Sequence, residues 1–103
     1  MARSYNLLPR ARLDLENIFQ HISVELVNPE SALRLIETFE TKFKDICLFP
    51  KAYPKMENPG LDHHHLRKTH VDHYLIVYVF DEEEDVIDIV RVVYAKKNFI
   101  QKH

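Results

Sequence analysis

The 103-residue chain has one glycine, Gly60, one cysteine, Cys47, and no long apolar run. Each scarcity removes a class of function. A single glycine cannot build the loops that cradle phosphates, so P-loop and dinucleotide-binding readings fall. A single cysteine cannot close an intramolecular disulfide, which points to a reducing compartment. No stretch approaches the roughly 20 apolar residues of a membrane helix. The opening MARSYNLLPR has too short an apolar segment, and no small-residue cleavage site, for a secretory leader. A soluble, cytoplasmic chain of one domain is expected.

Hydrophobic content of 46% and charged content of 29% lie near globular averages, so neither disorder nor a disulfide scaffold is indicated. The net charge of −2 hides an asymmetry. Five acids form one run, Asp81 to Asp85, leaving 11 acids against 14 Lys and Arg elsewhere. The rest of the chain is mildly basic and tolerates a polyanionic partner.

The expected fold class is α+β. An N-terminal strand (1–8) ends at Pro9, where helical spacing begins: Ala11, Leu15, Ile18, Phe19, Ile22 and Leu26 recur at steps of three and four. Asn28-Pro29-Glu30 reads as the end of that helix and the start of another, with Asn28 as cap. The second helix aligns Ala32, Leu35, Ile36, Phe39, Phe43 and Ile46, and it should stop near Phe49 because Pro50 follows. So short a turn makes 9–49 an antiparallel helical hairpin. A proline-rich loop (50–63) carries Lys51, Tyr53 and Lys55. Three antiparallel strands are expected within 64–95 (His64–His70, His73–Phe80, Val86–Tyr94), and a tail fills 96–103.

The last two strands read as apolar on both faces. Tyr74, Ile76, Tyr78 and Phe80 point one way and Leu75, Val77 and Val79 the other. In the final strand, Val86, Val90, Val92 and Tyr94 share a face opposite Ile87, Ile89, Arg91 and Val93. One helical hairpin covers one face of a sheet. The reverse face therefore predicts a protein partner, unless Phe99 and Ile100 of the tail fold back over it.

Histidines crowd LDHHHLRKTHVDHY, but consecutive residues on a strand point to opposite faces and do not converge as metal ligands. No metal is expected. Cys47 lies beside Ile46 on the inward side of a helix, as a small core residue does. No carboxylate pair stands out from the helix-surface acids. A basic and aromatic set remains: Arg67, Lys68, Arg91, Tyr94, Lys96 and Lys97. Arg91 interrupts an apolar face, which requires a partner or a ligand.

Short motifs in chain order now combine: Ala11-x-x-Asp14-Leu15-x-x-Ile18, Asn28-Pro29 with Ala32, Phe49-Pro50, Leu66-Arg67, Tyr74-Leu75-Ile76-x-Tyr78 and Arg91-Val92-x-Tyr94-Ala95-Lys96-Lys97-Asn98. Together they resemble the RelE/ParE superfamily of bacterial type II toxin–antitoxin toxins, over nearly the whole chain. The resemblance implies a βααβββ fold and a growth inhibitor of the plasmid-stabilisation kind, neutralised by a cognate antitoxin and needing no cofactor. It implies one of two targets. RelE-like members cut messenger RNA on the translating ribosome, and the residues matching that role are Tyr94, Arg91, Lys96 and Lys97. ParE-like members inhibit DNA gyrase and cleave nothing, so whether the chain is an enzyme stays open. Leu75 stands where RelE-like enzymes commonly carry an arginine, which leans the resemblance to the ParE branch. Arg67, Lys68, Lys51 and Lys55 are expected to meet the target. Leu75, Val77, Val79, Phe99 and Ile100 are expected to meet the antitoxin, and a homodimer without it is left open.

Overall fold

The computed structural model describes residues 1–56 and 65–95. Strand β1 (Ser4–Leu7) leads through Leu8 into helix α1 (Pro9–Gln20), and a π-helical turn over His21–Glu25 extends it. Helix α2 (Pro29–Leu48) follows, then β2 (Leu66–Val71), β3 (Tyr74–Asp81) and β4 (Val86–Tyr94). The expected α+β order is present.

The helix boundaries obey their local chemistry. Asn28 Oδ1 accepts the Ser31 N–H at 3.2 Å and Pro29 occupies the first turn, where its missing N–H leaves nothing unsatisfied. At the other end the Phe49 N–H closes on the Asp45 carbonyl at 3.0 Å before Pro50 stops the helix. Ala32, Phe39, Phe43 and Ile46 are buried, as their spacing predicts.

Among the described residues, one sheet holds the four strands in the order β1-β4-β3-β2, with β1 parallel to β4 and the other pairings antiparallel. The core lies on one side of it. Ala11, Phe39, Phe43 and Ile46 of the helices pack on Ile76, Tyr78, Ile87, Ile89 and Val92 of the strands. Aromatic edges help to lock this layer: Tyr5 meets Phe43 with ring centres 5.2 Å apart, and Phe39 meets Tyr74 at 5.6 Å.

Three expectations need correction. First, Ile87, Ile89 and Val92 share the core, which simple alternation along β4 forbids. Val77 pairs with Arg91 but Tyr78 pairs with Ile89, so Val90 is an extra residue in the ladder. That bulge exchanges the faces of everything after it. Second, Leu26 leaves the packed face and is 59% exposed. The bond from Leu26 N–H to the His21 carbonyl (3.1 Å) spans five residues rather than four, so the α-helical period ends before Leu26. Third, the reverse sheet face is less bare than expected: Val77 is buried and Leu75 and Val79 are half-buried. The widest apolar exposure lies instead on the helical hairpin, at Val24, Leu26, Val27 and Leu33.

Candidate functional site

Of the residues singled out from the sequence, Arg91 and Tyr94 lie on β4, Arg67 and Lys68 on β2 with Lys51 and Lys55 in the loop beside it, and Leu75, Val77 and Val79 on β3 between them. Lys96, Lys97, Phe99 and Ile100 lie outside the described residues.

On β4, the bulge takes Arg91 off the apolar core face, and its side chain reaches Asp14 of α1. Its Nε donates to Asp14 Oδ2 at 2.8 Å and its Nη2 to Asp14 Oδ1 at 3.1 Å. The same carboxylate accepts the Val92 N–H at 2.9 Å. Burial works against charge on Asp14, but the Arg91 and Val92 hydrogen bonds, with the charges of Arg91 and Arg10, outweigh it and hold its pKa below the usual value. In return, Asp14 raises the pKa of Arg91. Tyr94 is 50% exposed, its ring edge-on to Tyr74 at 5.5 Å and to His73 at 6.3 Å. Burial, with the nearby Tyr94 and Asp72, pushes the Tyr74 pKa up.

At the other place, the loop after α2 runs back along β2. Met56 N–H donates to the Leu66 carbonyl (2.8 Å) and Lys68 N–H to the Pro54 carbonyl (3.1 Å), making Lys55 and Arg67 partners across an antiparallel bridge. Arg67 Nη1 donates to the Tyr53 carbonyl at 2.7 Å and to the Lys51 carbonyl at 3.5 Å. Lys51 is paired with Glu82 at 3.0 Å. Beneath the loop, the buried Tyr78 hydroxyl donates to the Pro50 carbonyl at 2.7 Å, and burial pushes its pKa up to about 12. This bond and the Arg67 contacts anchor the loop to the sheet.

The structure therefore brings Lys51, Lys55 and Arg67 together, sets Lys68 on the opposite face of β2, and keeps all four apart from Arg91 and Tyr94. Sequence reasoning missed two contributors. Lys42 of α2 reaches the loop, its Nζ lying 3.4 Å from the Tyr53 hydroxyl and 5.0 Å from the ring centre. Nothing in the outward spacing of α2 distinguishes Lys42 from its neighbours. Asp14 is the second, and here a signal existed: an arginine on an apolar strand face demands an acid.

Two grooves flank α1. One, about 580 Å³, lies between α1, α2 and β1, walled by Leu15, Phe19, Val24, Leu33, Ile36 and Phe43. The other, about 650 Å³, lies between α1 and the end of β4, walled by Ile18, Ile22, Leu26, Tyr74, Val92 and Tyr94. Among the described residues, no three His, Cys, Asp or Glu side chains gather as metal ligands. None of their helices is long and apolar enough to cross a membrane.

The model of one family, described as ParE toxin of type II toxin-antitoxin system, parDE, matches residues 5–99. The chain belongs to the ParE toxin family. Within the RelE/ParE superfamily, the toxin shares its fold with two solved structures. One is described as the chromosomal ParDE TA system from P. aeruginosa, matched with a TM-score of 0.69 at 21% identity over 88% of this chain and 94% of that one. The other is the toxin–antitoxin complex RelBE2 from Mycobacterium tuberculosis, with a TM-score of 0.64 at 17% identity over 91% and 99% of the two chains. No curated protein matches the sequence. Both ParDE and RelBE2 thus share the βααβββ frame on which the ParE-family chain carries its bulged β4 and its basic loop edge.

Proposed function

We propose that this ParE-family toxin arrests growth in the cytoplasm by binding DNA gyrase, cleaves no RNA, and is held inactive by a cognate antitoxin. One observation carries the reading: the arginine of β4 that would serve phosphate chemistry beside Tyr94 is committed to the protein itself. Arg91 is held at two points by Asp14, whose carboxylate neutralises it. Ribonucleolytic cleavage needs a base near the 2′-hydroxyl and free positive charge for the developing phosphorane. Among the described residues, Tyr94 has aromatic neighbours rather than a hydrogen-bonded base. An inhibitory binding protein needs neither group.

The antitoxin is inferred from the family and from the two neighbours, which are toxin–antitoxin systems by description. Its seat on Leu75, Val77 and Val79 competes with the groove beside Leu33, where more apolar surface is open.

The second reading, a ribosome-dependent messenger-RNA endonuclease, is favoured by the exposure of Tyr94 at the end of β4, directly before Ala95 and Lys96. Brief induction separates the two. On the proposed reading, primer extension finds intact transcripts while plasmid supercoiling fails in the same cells. Codon-position-specific cuts that Tyr94→Phe reduces would replace it with the nuclease.

A further inference from the structure

Lys55 and Arg67 stand directly opposite each other across the bridge that joins the loop to β2. Like charges at such positions destabilise a sheet. The fold adds to this charge rather than neutralising it. Lys42 sits over the Tyr53 ring while the Tyr53 carbonyl holds Arg67, whereas Lys68 faces the other side of β2. Among the described residues, only Lys51 of this row has a carboxylate partner, Glu82. Among the described residues, Lys42, Lys55 and Arg67 remain as three cations without a carboxylate partner, on a protein whose net charge is −2. Backbone hydrogen bonds from Met56 and Lys68 hold the row in place before any ligand arrives.

We propose that this row docks the phosphate backbone of double-stranded DNA. A preassembled line of cations suits a polyanion, whose condensed counterions are released on contact. The aromatic ring within the row, Tyr53, has Lys42 on its face and offers no free platform. Single-stranded nucleic acid is held largely by bases stacking on such platforms. Contacts confined to phosphate position a protein on a duplex without reading its sequence. The choice of duplex DNA also rests on the gyrase reading, because gyrase works on duplex DNA.

Fluorescence anisotropy of the purified full chain with a short labelled duplex of mixed sequence tests this without gyrase. Failure of the surface is thereby distinguished from failure of the gyrase reading. With three phosphates neutralised, affinity should fall roughly 40-fold between about 50 and 200 mM salt. The variant Lys55→Gln should cut the slope of log affinity against log salt by about one third. A control, Arg34→Gln/Lys44→Gln on the exposed side of α2, should leave it unchanged. Removing the cross-strand repulsion should also keep the Tm of the Lys55→Gln variant at or above that of the parent, which separates lost binding from lost folding. The proposal is overturned by salt-independent or absent duplex binding, by an equal loss in the α2 control, or by tighter binding of single-stranded RNA of equal length.

Discussion

Asp14 and Arg91, 77 residues apart in the chain, form a two-point ion pair across the helix–sheet junction. The acid also caps the Val92 N–H just beyond the Val90 bulge. A single carboxylate thus supplies what the irregular ladder leaves open and neutralises an arginine that alternation alone would have put on an apolar face. The bulge, the arginine and the acid are one unit. Removing any of them should be felt by the others.

Asp14→Ala should destabilise the protein by about 1–2 kcal/mol, because it orphans the Val92 N–H and removes the partner of a guanidinium that is 36% exposed. Asp14→Asn keeps an acceptor and should cost less. Urea denaturation midpoints rank the two; equal costs would mean that the ion pair contributes nothing beyond the hydrogen bond to Val92.

The same acid sets an acid limb. Its folded pKa is depressed, so its contribution is present above the unfolded value of about 4 and is lost as pH falls through the lower folded value. Denaturation midpoints measured as pH drops below about 4 should decline less steeply in Asp14→Asn than in the parent.

Tyr78 should act at the opposite end of the scale. Its hydroxyl has a folded pKa of about 12 against an ordinary value of 10.0, so the stability it contributes is full below pH 10 and is lost as pH rises toward 12. Tyr78→Phe should cost about 1–2 kcal/mol at neutral pH by orphaning the Pro50 carbonyl, and should flatten the alkaline decline. Tyr5 and Tyr74 also have raised values, so the flattening is partial.

Val27, between the π-helical turn and α2, has φ of 50° and is 79% exposed. A β-branched residue in the left-handed region is strained by roughly 1–2 kcal/mol, which asparagine tolerates better. Val27→Asn should raise the Tm by a few degrees in a thermal melt. An unchanged or lower Tm would show that Val27 carries no such strain.

For the antitoxin, Leu33→Asp should disable neutralisation in cells co-expressing the pair more than Leu75→Asp does. Leu33 is 55% exposed on the groove between the helices and β1, whereas Leu75 is half-buried on the sheet. Leu33→Asp should melt close to the parent, since its side chain is exposed, whereas half-buried Leu75→Asp should melt lower without losing more neutralisation.

Local chemistry was enough to place the helical hairpin and the strands. Proline and asparagine mark helix starts by what their own backbone can and cannot do, and periods of 3.6 and 2 report burial on one face. The basic loop was legible for the same reason: Lys51, Lys55, Arg67 and Lys68 are visible as charges wherever the chain takes them. Tertiary structure alone decided the Val90 bulge, the turn that releases Leu26, the pairing of Asp14 with Arg91 and the arrival of Lys42 beside Tyr53. Each depends on groups far apart in sequence competing for one position, and only packing in three dimensions resolves such a competition.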